Sequence, residues 1–155
     1  MTTSTSFPDI LLELCCNQPL AVLATAAGSA PYTNLVAVVF ALDLHHLFFA
    51  TSRATRKWHN LSTNPEVSLL LDNRSNQVAD FSKAAAATIL GMAQELTGVD
   101  REAGQRLYLA KHPHLADFLA VPGCALFQVT IQQIYLVTHF QEVMKFDFSS
   151  KKGVH

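Results

Sequence analysis

One segment, residues 48–71, constrains the fold of this chain more than any other. It reads FFATSRATRKWHNLSTNPEVSLLL. Its apolar beginning predicts a strand over 47–50, its middle a helix over about 55–63, and its end a second strand over 67–71. The helix is expected to stop at Asn64, because Pro65 follows and proline restricts the residue before it. The segment is therefore predicted to run strand, polar turn, short helix and strand.

The polar turn inside this segment combines hydroxyls with cations. The hydroxyls belong to Thr51, Ser52 and Thr55, and the cations to Arg53, Arg56 and Lys57. A helix start leaves backbone N–H groups without partners, and its dipole favours an anion. Hydrogen bonds to an ionised group are about twice as strong as neutral ones. The turn predicts a phosphate site, and the alternative is an ordinary solvated helix start.

The rest of the chain predicts mainly strands. An amphipathic helix is expected over 7–17, with Ser6 and Asp9 at its start, and a longer helix over 100–119, broken at Pro113. Strands are predicted over 20–26, 32–42, 84–96, 125–131 and 135–146, with a hairpin turn at Gly28. Gly91 indicates a close approach of another backbone. Without repeated βαβ alternation, residues 1–155 are expected to form one domain, a closed antiparallel barrel with attached helices.

Composition predicts a second copy of the chain as partner. Charged residues make up 15% and apolar residues 50%, and a typical soluble domain has about 25% charged residues. Both faces of the strand over 35–40 are apolar. A homodimer interface would cover this surface, since such interfaces resemble a core cut in half.

The same numbers exclude other classes of partner and place the protein in the cytoplasm. A net charge of −1 gives no reason to expect nucleic acid or a membrane surface. The longest apolar run, 35–42, is far shorter than the ~20 residues of a membrane span. The first residues are not expected to form a signal peptide. Three cysteines make no disulfide framework and fit a reducing compartment.

No familiar catalytic or metal motif is present. The six glycines form no nucleotide-binding loop, so a nucleotide would be held by side chains and a helix start. His112 and His114 are expected to be an exposed pair at a helix break, and not metal ligands. Cys124 is expected to be a small buried residue. Trp58 is expected to pack in the core, the alternative being contact with a ligand, and Asn60 and Asn64 are expected to be structural.

With these elements in order, the chain resembles the pyridoxamine 5′-phosphate oxidase-like family of FMN-binding split β-barrels. The block T-S-x-x-T-R-K-x-x-N-L, which begins at Thr51, is the most specific part. The matching segments are LAVLATAAGSAPYTNLVAVVF (20–40), LFFATSRATRKWHNLSTNPEVSLLLD (47–72), ILGMAQEL (89–96), YLAKHPHLADFL (108–119) and IYLVTHFQEV (134–143).

The resemblance implies a homodimeric split barrel with FMN at the subunit interface. In this family the phosphate would be held by Thr51, Ser52, Thr55, Arg56 and Lys57, and the flavin ring would lie along the backbone of Asn34, Leu35 and Val36. The implied activity is that of an FMN-dependent oxidoreductase, which acts on an unknown small substrate or electron donor.

Two departures from the family pattern argue against oxidation of pyridoxamine phosphate itself. Ala86 stands where the oxidases place a flavin-contacting glutamine, and the sequence FDFSSKKGVH is not expected to replace the C-terminal segment with arginine and histidine that grips pyridoxal phosphate in the oxidases. The protein is therefore not expected to be a true pyridoxamine 5′-phosphate oxidase.

Three alternatives remain open at this point. The first is a haem-binding or haem-degrading split barrel, with His139 or His155 near the barrel mouth or tail. The second is an FMN-carrying sensor or electron-transfer module without turnover, and the third is a deazaflavin in place of FMN. His139, on the predicted last strand, is also expected to reach the flavin of the other subunit, and the alternative is a solvated position.

Overall fold

Seven strands and five α-helices make up the part of the chain that a computed structural model describes, residues 6–139 and 142–148. The strands are β1 (Leu20–Ala27), β2 (Ala30–Phe40), β3 (His46–Ser52), β4 (Glu66–Asp72), β5 (Ala86–Glu95), β6 (Cys124–Thr138) and β7 (Glu142–Asp147). The helices are α1 (Phe7–Asn17), α2 (Arg56–Thr63), α3 (Asp80–Lys83), α4 (Gly98–Lys111) and α5 (Ala116–Ala120). A 3-10 turn, Pro113–Leu115, joins α4 to α5.

Six of the strands close into an antiparallel barrel. The order is β3-β2-β1-β4-β5-β6, and pairing of β3 with β6 joins the two ends. That last ladder runs from His46 opposite Thr130 to Ser52 opposite Cys124. β7 lies outside the closed ring and pairs with residues 133–138 of β6. The predicted closed barrel with attached helices is confirmed.

Local sequence signals explain several element boundaries. The hydroxyl of Ser6 accepts a hydrogen bond from the backbone N–H of Asp9 (3.3 Å) and donates to its carboxylate (2.8 Å), which caps α1. Gly28 takes a φ of 73° in the hairpin turn between β1 and β2, a conformation that costs glycine little. The long helix predicted over 100–119 breaks at Pro113, as expected.

Two apolar clusters hold the fold together, one inside the barrel and one outside it. The inner cluster includes Leu23, Val38, Leu47, Phe49, Leu69, Ile89, Val129, Ile134 and Leu136. In the outer cluster, α4 and α5 cover β2, β3 and β6 through Val39, Phe48, Ala50, Tyr108, Leu119, Cys124 and Leu126. β2 and β3 therefore carry apolar side chains on both faces. The buried position predicted for Cys124 is confirmed.

The last strands differ from the prediction. The expected strands over 125–131 and 135–146 are wrong: β6 continues without a break to Thr138, and the chain turns at His139, whose φ is 48°. A β-bulge keeps the ladder intact, because Leu90 pairs with Gln133 while Gly91 pairs with Ile131. The close approach expected at Gly91 is confirmed, since a Cβ there would lie 2.4 Å from the Thr130 carbonyl oxygen.

Candidate functional site

The barrel opens between β2 and β3. Their ladder contains only three pairs, from Phe40 opposite Leu47 to Val38 opposite Phe49. Beyond that point residues 35–37 and 50–52 separate, and a cavity of about 340 Å³ lies between them. It is lined by Leu35, Val36, Ala37, Ala50, Thr51, Ser52, Thr55, Lys57, Tyr108, Leu115 and Phe118. This opening brings together six of the nine predicted site residues: Leu35, Val36, Thr51, Ser52, Thr55 and Lys57.

Hydroxyl groups shape the polar end of the cavity, where β3 leads into α2. Thr55 caps α2: its hydroxyl accepts from the backbone N–H of Trp58 (3.3 Å) and donates to the Ser52 carbonyl (2.8 Å). The Thr51 hydroxyl lies 3.0 Å from that of Thr55. The Ser52 hydroxyl accepts from the N–H of Ala54 (3.1 Å), which leaves its own proton available. Thr51 and Thr55 therefore brace the turn, and Ser52 retains a free donor.

Lys57 brings the available positive charge into the cavity. It is half-buried, and among the described residues no side chain or backbone group forms an ion pair or hydrogen bond with its ammonium group. Burial lowers its pKa from the ordinary value of 10.5, since removal from water disfavours the charged form. The backbone N–H groups of Arg56 and Lys57, at the start of α2, also have no hydrogen-bond partner within the described chain. The cavity therefore has several donors without partners at its polar end.

The other two cations of the turn lie elsewhere. Arg53 forms an ion pair with Glu95 and donates to the Pro122 carbonyl (2.9 Å). Arg56 lies over the ring of Tyr32, with its guanidinium carbon 5.2 Å from the ring centre, and is not among the cavity-lining residues. Sequence alone does not distinguish the three cations, and the structure singles out Lys57.

The apolar end of the cavity is formed by α4, the 3-10 turn and α5. Tyr108 is 1% exposed, and its hydroxyl donates to the backbone carbonyl of Ala37 (3.1 Å). Leu115 and Phe118 continue this wall. Burial raises the pKa of Tyr108 to about 12, so the hydroxyl stays protonated and remains a donor near neutral pH. The cavity therefore pairs a cationic end with an apolar, aromatic wall.

The three predicted β2 residues take different positions. Leu35 points out towards the cavity and is 63% exposed. Val36 also borders the cavity, but its side chain is buried in the barrel core. Asn34 lies opposite Leu23 and does not line the cavity. Its side-chain oxygen is buried and has no hydrogen-bond partner in the part of the chain described. Such an orphaned acceptor is uncommon in a folded protein.

His139 lies away from this cavity. It follows Thr138 at the end of β6. The cavity lies at the other end of this strand, where Ser52 pairs with Cys124. Its Nδ1 is 3.0 Å from the Ser82 carbonyl oxygen, so this nitrogen carries the proton of the bond. Within one subunit His139 does not meet the other predicted site residues. His155 lies outside the described residues.

The remaining predicted residues are mostly structural. Trp58 packs against the inner cluster and points its ring N–H at Glu95 (3.4 Å). Asn60 is buried and donates to the Thr25 hydroxyl (3.1 Å), and Asn64 ends α2. The expectation that His112 is exposed is wrong: it is 3% exposed, with its Nε2 2.8 Å from the Val38 carbonyl oxygen.

Metal and membrane features are absent from the residues described. No group of three or more His, Cys, Asp or Glu side chains in the ranges 6–139 and 142–148 is arranged to hold a metal ion. Among the same residues, none of the helices combines the length and apolar character needed to cross a bilayer.

Sequence reasoning missed two structurally important residues, Tyr108 and Glu95. Tyr108 reads as one apolar-face residue of an amphipathic helix, and Glu95 as a polar residue at a strand end. Their roles depend on partners more than forty positions away, Ala37 and Arg53. Helical periodicity indicates that Tyr108 faces inward, but not that its hydroxyl meets a strand.

Comparisons with known proteins agree with this architecture. The heme binding protein from Mycobacterium smegmatis is similar with a TM-score of 0.81 at 15% identity, over 94% of this chain and 60% of that one. A putative pyridoxamine 5′-phosphate oxidase from Listeria innocua gives 0.67 at 15%, over 85% and 98%. A FAD-binding protein from Mesorhizobium loti gives 0.64 at 19%, over 80% and 88%. At these identities the likeness establishes the fold.

The chain spans only 60% of the length of the mycobacterial protein. Among curated proteins, no sequence matches it. The pyridoxamine 5′-phosphate oxidase family, however, matches residues 8–138, which include the whole barrel from β1 to β6 and the Thr51–Lys57 turn. The chain therefore belongs to the pyridoxamine 5′-phosphate oxidase family.

Proposed function

We propose that the cavity between β2 and β3 binds FMN and that the protein is an FMN-dependent oxidoreductase acting on a small molecule. The observation that carries this proposal is Lys57, a half-buried ammonium group without an ion-pair partner among the described residues. Partial burial disfavours the charged form of this group, and an anion beside it would offset that cost. The ligand is therefore expected to bring a negative group to this point.

A phosphate monoester fits the donors that surround Lys57. The Ser52 hydroxyl and the N–H groups of Arg56 and Lys57 are available beside the ammonium group. The side chain of Arg56 reaches the same point only by leaving the Tyr32 ring, an exposed contact of about 0.5–1 kcal/mol. Thr51 and Thr55 act indirectly, because they hold the turn in shape. Lys57 is expected to contribute more to phosphate binding than Arg56.

The flavin ring would occupy the space between residues 35–37 and 50–52. There the ladder between β2 and β3 has ended, so backbone groups that would otherwise pair with β3 face the cavity. Leu35, Tyr108 and Phe118 supply apolar contact. Asn34 does not line the cavity, and its side chain shares a face of β2 with the buried Val36, so only its backbone is a candidate contact for the ring.

The redox chemistry would come from FMN, which exchanges hydride or single electrons when bound. The chain's own residues bind the phosphate, orient the ring along β2 and exclude water with the wall of α4 and α5. Among the described residues that line the cavity, only Lys57 and Tyr108 are titratable, and burial raises the pKa of Tyr108 to about 12. Substrate protonation is therefore not assigned to a residue.

Homodimer formation belongs to the same proposal. Leu35 is exposed at the edge of the cavity, and further apolar side chains are exposed on the outer faces of β1 and β4. A second subunit would cover them and close the cavity. Since His139 lies away from the cavity of its own subunit, it could meet a flavin only in the cavity of the other subunit. The free cysteines Cys15, Cys16 and Cys124 support a cytoplasmic location.

The test compares FMN with riboflavin, which lacks the phosphate. Lys57→Ala should weaken FMN binding by at least about tenfold, the equivalent of ~1.4 kcal/mol, and leave riboflavin binding within about twofold. Arg56→Ala should weaken FMN less, and the double variant should weaken it most. A folded double variant that binds FMN as tightly as the wild-type protein would exclude this site.

Haem binding is the second candidate, favoured by the similarity to the mycobacterial heme binding protein. The absorption spectrum of the purified protein separates the two, because flavin bands and a haem Soret band differ in position and shape. If the protein shows a Soret band without flavin bands and binds haem but not FMN, haem binding replaces FMN binding as the function of the cavity. A deazaflavin, or an FMN-carrying module without turnover, would keep the phosphate site and change only the chemistry.

A further inference from the structure

Tyr108 lies at the point where β2 and β3 part. Their pairs run from Phe40 with Leu47 to Val38 with Phe49, so the next pair in register would be Ala37 with Ala50. That pair is absent from the ladder. Instead, the hydroxyl of Tyr108 donates to the Ala37 carbonyl (3.1 Å), and Tyr108 and Ala50 belong to the same buried cluster. The phenol therefore occupies the place of the missing pair.

A second contact, from the residue directly after α4, holds β2 one residue further along. Four positions after Tyr108, the Nε2 of His112 lies 2.8 Å from the Val38 carbonyl oxygen and donates to it, since a carbonyl can only accept. The two rings lie 5.2 Å apart, and both side chains are almost fully buried. α4 and the residue that ends it, His112, thus hold two successive residues of β2.

We propose that Tyr108 is a positioning residue of the cofactor site: its hydroxyl keeps β2 and β3 apart and holds residues 35–37 where they meet the flavin ring. This inference rests on the proposed function. It assigns Tyr108 to the ring end of the cavity, as Lys57 is assigned to the phosphate end. Without the hydroxyl, the Ala37 carbonyl loses the partner that takes the place of β3.

Tyr108→Phe tests this role, because it removes the hydroxyl and keeps the ring. Tyr135→Phe is the matched control: among the described residues its hydroxyl bonds only to the Gln133 side chain on β6 (3.4 Å), and Tyr135 does not line the cavity. Tyr108→Phe should weaken FMN and riboflavin by the same factor, about three- to tenfold, as expected for one buried hydrogen bond. Lys57→Ala should affect FMN alone, and Tyr135→Phe neither ligand.

Two further readouts separate positioning from general stability. In the protein without added flavin, Tyr108→Phe should speed amide hydrogen exchange within residues 35–37 and 50–52, while β4 and β5 exchange as in the wild type. At saturating FMN, the visible circular dichroism of the flavin should change in Tyr108→Phe and not in Tyr135→Phe.

The proposal is overturned if amide hydrogen exchange in Tyr108→Phe equals that of the wild type. It is also overturned if Tyr108→Phe binds both FMN and riboflavin with wild-type affinity. A loss of FMN affinity that spares riboflavin would overturn it as well, since that would place Tyr108 at the phosphate. If the wild-type protein binds neither ligand, the proposed function fails, and the exchange comparison still decides whether Tyr108 holds the gap.

Discussion

Arg53 and Glu95 form an ion pair that joins the turn before α2 to the end of β5. The Glu95 carboxylate also accepts from the ring N–H of Trp58 (3.4 Å), and the backbone N–H of Arg53 donates to the Gly123 carbonyl (2.8 Å). One carboxylate therefore ties the first turn of α2 to the barrel. This arrangement also removes Arg53 from the cations that could meet a ligand.

Arg53→Ala is expected to act on stability. Both partners of the pair are partly exposed, so the loss should be about 1 kcal/mol of unfolding free energy in urea titrations. Arg106→Ala is the matched control, since Arg106 is exposed and forms no ion pair among the described residues. A double-mutant cycle with Glu95→Gln should give a coupling of ~0.5–1 kcal/mol, and strictly additive losses would contradict the pairing.

FMN affinity is expected to fall at alkaline pH. The phosphate is doubly ionised above about pH 7, so the remaining titration is that of Lys57, whose pKa burial lowers from 10.5. As pH rises through that lowered pKa, the ammonium group loses its proton and its attraction for the phosphate. The affinity of the wild type relative to Lys57→Ala, measured from about pH 7 to 10.5, should decline with a midpoint below 10.5. A constant ratio would show that Lys57 does not meet the phosphate.

Gly91→Ala is expected to destabilise the barrel. An added Cβ would lie 2.4 Å from the Thr130 carbonyl oxygen and 2.7 Å from a methyl group of Val129. Since the carbonyl belongs to a paired strand, relief requires a backbone shift, at a cost of roughly 1–3 kcal/mol. Gly123→Ala is the control, because a Cβ added there would have no atom within 4 Å among the described residues, its chain neighbours aside. Equal urea midpoints for the two variants would contradict the close approach.

The sequence predicted most of the barrel because its signals are local. Turn glycine, helix caps and apolar strands identify β1 to β5, and the alanine-rich segment around Gly91 is a strand as expected. The predicted break in β6 was wrong because pairing on both edges, with a bulge at residue 132, overrides the polar residues there. The β6 strand is therefore set by its neighbours along the sheet.

The site was only partly predictable for a related reason. The Thr51–Lys57 block identified the polar end of the cavity, but not which cation is available there. That choice depends on Glu95 and Tyr32, which are distant in sequence and occupy Arg53 and Arg56. The burial of His112 depends likewise on the Val38 carbonyl. These are tertiary contacts, and residue type and spacing do not encode them.

The apolar outer face of the barrel leads to the last prediction, an obligate homodimer. Leu70 of β4 pairs with Val22 of β1 and is 38% exposed on that face. Light scattering at micromolar concentration should give twice the chain mass of 17.0 kDa. Leu70→Asp should yield monomers that bind FMN weakly, because a carboxylate would be buried unpaired in the interface. Leu42→Asp, at a leucine that is 91% exposed in the loop after β2, should remain dimeric. A wild-type protein that is monomeric and holds FMN tightly would contradict both the dimer and the shared site.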